Sequence, residues 1–159
     1  MKKLGKIRCD ASKNAKVNAQ RLLPRLARAY YKAGRQVLGS KKSPRILHRL
    51  RLETKRFRYT LEVFLPVYGP GLQSRIDSLR HIQDCLGWVN DRASTRVLLE
   101  TALPHNSPHR RRLQERMDKQ VEKLVRDFTR YWEDTFDAPG QQERWVAYLT
   151  RFAGGRPRG

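Results

Sequence analysis

The sequence predicts an all-α protein, an up-and-down four-helix bundle of long helices plus a short C-terminal helix, and three observations lead there. Apolar residues recur at spacings of three or four along four long stretches, the signature of helices with one buried face. No segment alternates apolar and polar residues at period two, so nothing reads as a strand. The stretches are separated by strong breakers at 39–43, at Tyr68-Gly69-Pro70-Gly71 and at 103–108, breaks short enough to return each helix beside the one before it. With 159 residues the chain forms one domain with a proper core.

Taken in order, residues 1–9 form a basic tail without a pattern. Asp10 or Ser12 caps a first helix running to about Leu38, with Leu22, Leu26, Ala29, Ala33 and Val37 as its apolar face. Arg21, Arg25, Arg28, Lys32 and Arg35 form its basic face. Pro24 either kinks this helix or marks its true first turn. Ser43-Pro44 supplies the N-cap and first position of a second helix extending to about Val67. Leu72, Ile76, Leu79, Ile82, Leu86, Val89 and Ala93 give the core face of a third, in which Gly87 is costly by about 1 kcal/mol relative to alanine and signals a close helix crossing or a bend. Ser107-Pro108 starts a fourth, with Leu113, Met117, Val121, Leu124, Phe128 and Trp132 inward and an end near Phe136. After Ala138-Pro139-Gly140, Trp145, Tyr148, Leu149 and Phe152 mark a short amphipathic piece. The bundle therefore occupies residues 10–153, and residues 154–159 form a Gly/Arg tail.

The second helix organises the functional reading. Ile46, Leu50, Phe57, Leu61 and Phe64 share an arc of roughly 60° at about 100° per residue, and His48, Arg51, Lys55 and Arg58 share a second arc nearly opposite. Tyr59 and Glu62 lie at its edge, and Arg49 and Arg56 flank it. Between positions 41 and 58 there are eight Lys or Arg and a single acid, Glu53. A merely solvated helix face interleaves both signs, whereas a one-sign row repels itself until an anion arrives. Arginine's planar fork also suits phosphate oxygens. Across the chain, 35 Lys+Arg against 15 Asp+Glu give a formal charge of +20 and a pI near 10.9, so the partner is anionic: nucleic acid, another phosphate polymer or an acidic surface. On the fourth helix Arg116, Lys119, Lys123, Arg126 and Arg130 also share an arc.

Other chemistry finds little support. His105 and His109 straddle Pro108 at a loop and helix start, a poor zinc pair, so no metal site is expected. Asp77, Asp84 and Asp91 share a face, but seven residues separate neighbours by about 10 Å, too far to share one ion. They read as an outward acidic face or, for Asp91, a counter-charge to a basic helix. No nucleophile elbow, glycine-rich phosphate loop or cofactor motif occurs, so catalysis is not expected. Cys9 and Cys85 read as free thiols. No apolar run reaches membrane-spanning length and the start lacks a signal peptide's apolar middle, which together predict a cytoplasmic protein without membrane insertion.

His48, Arg51, Lys55, Arg56 and Arg58 in this spacing resemble the signature helix of the CHAD domain, the conserved histidine α-helical domain. LRHIQDCLGWVND, from Leu79 to Asp91, is similar to that family's second hallmark, and the resemblance extends over roughly residues 15–150. It implies a helical domain that binds inorganic polyphosphate through a basic groove, without a catalytic activity of its own, and it assigns the binding to these five positions. Arg28, Lys32, Arg35 and Tyr59 are expected as additional anion contacts. The family usually has two helical repeats, and this chain holds one, more like the second, so a homodimer is expected to restore the pseudo-twofold. Association with polyphosphate or storage granules follows from the same resemblance. The rival reading is a nucleic-acid-binding module without sequence specificity, which requires stacking aromatics among the cations; only Tyr59 is so placed.

Overall fold

A computed structural model describes residues 8–102, 104 and 107–151. Among them every regular element is helical: α1 Ala15–Leu38, α2 Pro44–Val63, α3 Leu65–Tyr68, α4 Gln73–Ala102, α5 Pro108–Tyr131 and α6 Gln141–Arg151. The pairings of side chains give the directions. Tyr30 meets Thr54 across α1 and α2. His48 meets Asn90 and Arg58 meets Gln83, so α4 runs against α2. Glu100 meets Gln114 while His81 meets Tyr131, so α5 runs against α4. α1, α2, α4 and α5 thus alternate in direction, and α6 lies lengthwise on α1, from Trp145 against Tyr31 to Thr150 beside Gln20.

The core is a single cluster whose centre is aromatic. Tyr30, Tyr31, Phe57, Phe128, Trp132, Phe136 and Trp145 are buried and in mutual ring contact. Within it Thr54 Oγ1 donates to Leu50 O at 2.8 Å, which leaves the Tyr30 hydroxyl to donate to Thr54 Oγ1 at 2.7 Å. Burial pushes the Tyr30 phenol well above its ordinary range.

Several boundaries differ from the sequence expectation. Neither Asp10 nor Ser12 caps α1: Asn14 does, its side chain accepting from the Val17 N–H at 2.9 Å. Asp10 instead accepts from the Ser12 N–H and hydroxyl in the preceding turn. Pro24 lies inside a helix that begins at Ala15, so it does not mark the first turn. The buried side of α1 is also turned, with Leu23, Ala27, Tyr30, Tyr31 and Gly34 inside, Leu22 half-buried and Ala29 exposed. The reason is that α1 is packed between α2 and α6 and buries a wide arc rather than one stripe.

The second helix stops at Val63 and restarts as α3, because Pro66 has no N–H to give to the Glu62 carbonyl. In α5, Leu113 is exposed, since that end of the α4–α5 pair extends past the start of α2, and Val121 and Leu124 are half-buried. Residues 132–136 form one wide turn, closed by the Asp137 N–H donating to Trp132 O at 2.7 Å. Phe152, the Gly/Arg tail, most of the basic tail and His105 lie outside the described residues, and with His105 lies one half of the zinc pair considered above. No group of three or more metal-ligating side chains forms among the described residues.

Candidate anion-binding groove

The basic arc of α2 is held against α4, and each contact is with the second sequence motif. His48 Nδ1–H donates to Asn90 Oδ1 at 2.8 Å, which leaves Nε2 as the ring's other polar atom. One turn on, the Arg51 guanidinium lies over Gly87: a Cβ there would sit 3.5 Å from Nε and 4.0 Å from Nη2. Arg58 Nε–H donates to Gln83 Oε1 at 3.1 Å. So the two hallmark stretches are the two walls of one groove, and the glycine in α4 marks a close crossing at which an arginine is seated. Sequence reasoning passed over Gln83 and Asn90. Their seven-residue separation, bracketing Gly87 on one face of α4, is the signal that would have found them.

The five expected positions do not stand alike. His48 and Arg51 are half-buried and Lys55 is exposed. Arg51 Nε is buried without a hydrogen-bond acceptor, and neither His48, Arg51 nor Lys55 forms an ion pair among the described residues. An unmatched buried donor costs of order 1–3 kcal/mol, more when charged. Arg58 differs, since it is already paired with the Glu62 carboxylate, and its side chain is only 12% exposed. Glu62 also lies 3.9 Å from Arg80, which is itself held by Asp77 at 2.6 Å. Arg56 is half-buried and sits roughly 140° around the helix from Arg51, on the flank away from α4.

Tyr59 joins the row: it is 46% exposed, with Arg58 Cζ 4.4 Å and Lys55 Nζ 5.5 Å from its ring centre. Arg28, Lys32 and Arg35 do not. They line a shallow surface with Gln36 and with Gln142 of α6, on the other side of α1. Arg35 is moreover bound in a fork to Asp137, at 2.7 and 2.6 Å, and that carboxylate raises its pKa further. Asp91 is exposed and forms no ion pair with α2 among the described residues, and the carboxylate that meets Arg58 is Glu62. Cys85 is a core residue whose thiol is pushed up by burial and by Asp84, unlike an activated nucleophile.

A search of protein-family models matches the CHAD domain over residues 2–100. The matched stretch contains α1 to α3 and nearly all of α4, hence both walls of the groove. It stops short of α5 and α6, whereas the sequence resemblance was drawn to about residue 150. No curated protein and no solved structure matches the chain. Because the family match covers more than half of the chain, and because the two motifs that carry the resemblance meet side by side in the fold, this chain belongs to the CHAD domain family.

Proposed function

We propose that this chain binds inorganic polyphosphate, without catalysis, in the groove between α2 and α4. The observation that carries the reading is Arg51, a cation with a buried and unmatched Nε–H in a row where His48 and Lys55 also lack carboxylate partners. A phosphate polymer supplies acceptors at repeated spacing and has no base to read, which suits a row of donors lacking open stacking surfaces. Nucleic acid is the weaker reading, because Tyr59 is a single ring beside the row, where a strand would need several to stack its successive bases. At the other end of the row Glu62 and Asp77 balance Arg58 and Arg80, so the unmatched positive charge lies at Arg51 and Lys55. A single repeat predicts a homodimer as the binding unit, and a strict monomer with full affinity in sedimentation would remove that part. Such a module would accompany the polymer in the cytoplasm or on storage granules.

The test is a titration with long-chain polyphosphate against the full chain, with a single-stranded oligonucleotide as competitor at near-physiological salt. Arg51→Ala is expected to weaken polyphosphate binding about tenfold or more, in the range of a lost charge-assisted contact. Arg58→Ala should cost less, because Glu62 already neutralises part of its charge. Replacing Arg51 and Arg58 together should cost far more than replacing Lys2 and Lys3 together, which removes the same charge, and equal losses would show that only net charge matters.

A further inference from the structure

α2 is apolar on two opposite sides. Leu47, Leu50, Phe57 and Leu61 on its inner side belong to the core. On the outer side Leu52, Tyr59 and Val63 are 48%, 46% and 72% exposed, and they are all of the large apolar side chains that this helix exposes. At about 100° per residue the three lie within roughly 40° of one another, opposite the core. Followed back in alternating steps of four and three, the same stripe passes through Arg56, Arg49 and Arg45, which is the spacing of a coiled-coil seam. Isolated surface apolar residues are ordinary. Three in heptad register on one rod, interleaved with arginines, however, form a face suited to a second amphipathic helix. Polyphosphate has no apolar surface to do so.

We propose that this stripe docks an acidic amphipathic helix of a partner protein, leucine-like residues meeting Leu52, Tyr59 and Val63 and flanking carboxylates meeting Arg45 and Lys55. The heptad spacing selects a helix as the occupant, and the charge selects its sign. Neither acid of α2 falls on the stripe, and the chain as a whole carries +20. A second copy fits poorly, since a two-fold antiparallel pairing would set Arg45 against Val63 and Arg49 against Tyr59 and bring no carboxylate of the stripe across the seam. A membrane surface also fits poorly, because the stripe is narrow where an interfacial helix presents a broad apolar face. The seam lies beside the phosphate groove and shares Lys55 with it, so the two ligands should compete in part.

The probe is a synthetic three-heptad peptide with Leu at positions a and d and Glu at e and g, titrated by fluorescence anisotropy against the full chain. Its control has Gln in place of every Leu at unchanged charge. The Leu peptide should bind, the Gln peptide should bind at least about tenfold more weakly, and Leu52→Gln with Val63→Gln should weaken the Leu peptide by a similar factor. The same double variant should keep its polyphosphate affinity, so failure of the phosphate reading would appear separately. Equal binding of the two peptides, or an unaffected double variant, overturns the proposal. So does finding that the two substitutions abolish self-association or binding to phosphatidylglycerol vesicles while peptide binding is absent. Both positions are exposed, and an unchanged melting temperature verifies that the variant folds.

Discussion

At the scale of single residues, the tightest constraint is Gly34. A Cβ built there would lie 1.9 Å from Trp132 Cζ2 and 2.1 Å from Cη2, and the indole cannot retreat because Tyr30, Phe128 and Phe136 pack around it and its Nε1–H donates to Asp137 Oδ2. Gly34→Ala is therefore expected to cost about 2–3 kcal/mol as overpacking and to lower the melting point by roughly 5–10 °C, read by thermal denaturation. Gly39→Ala is its control, since a Cβ there meets only the Arg35 carbonyl oxygen at 3.4 Å. Gly34 was not legible in the sequence: inside an apolar face a glycine looks like a gap, and only the position of a tryptophan from a distant helix shows what the gap admits. Gly87 was legible, because its cost inside a helix needed a reason. Among the cations, the one-sign row was visible from residue types alone, but Arg58's partner Glu62 was read as an edge residue rather than as the charge that occupies it. Arg35's partner was hidden for a related reason, Asp137 lying far along the chain.

At the scale of elements, the long helices and their order followed from apolar period and breakers, whereas the ends were set by chemistry that periodicity does not carry. Asn14 outcompetes Asp10 because Asp10 is engaged in its own turn with Ser12, and Pro66 ends α2 although the apolar pattern continues to Val67. α6 was expected as a short amphipathic helix, and it forms a wall of the core. Tyrosine hydroxyls tie it and its approach in place. Tyr68 OH donates to Leu149 O in α6, and Tyr31 OH donates to Phe136 O at 3.0 Å in the wide turn before it. Burial pushes the Tyr68 phenol up to about 12 and raises those of Tyr31 and Tyr148. A phenol with a raised pKa favours the folded state fully below the ordinary value near 10 and loses that contribution as pH rises toward the folded value. The contribution of these phenols should thus be level from neutral pH to about 10, and stability should fall between pH 10 and about 12. Urea midpoints across that range check it, and Tyr68→Phe should make the decline shallower. A decline beginning well below pH 10 would point to groups other than these phenols.

At the scale of the molecule, a charge of +20 on 159 residues creates a field that draws any polyanion, and the question is how much of the binding is that field and how much is fixed contact. The two have different salt signatures. Contacts made by the three cations of the α2–α4 groove, Arg51, Lys55 and Arg58, release about three sets of counterions, and at roughly 0.7 per contact for a flexible strand the affinity should fall about twentyfold between 50 and 200 mM salt. Screening of the diffuse field acts on every variant alike, because the Debye length at 0.1 M, about 10 Å, is shorter than the distance from the groove to most of the surface charge. Arg51→Ala should accordingly reduce the slope of log affinity against log salt by about one contact, while a Lys2/Lys3 replacement should shift the line with little change in slope. Two parallel lines for Arg51→Ala and wild type would mean that Arg51 contributes only to the field, and the groove would then have no claim over the rest of the basic surface.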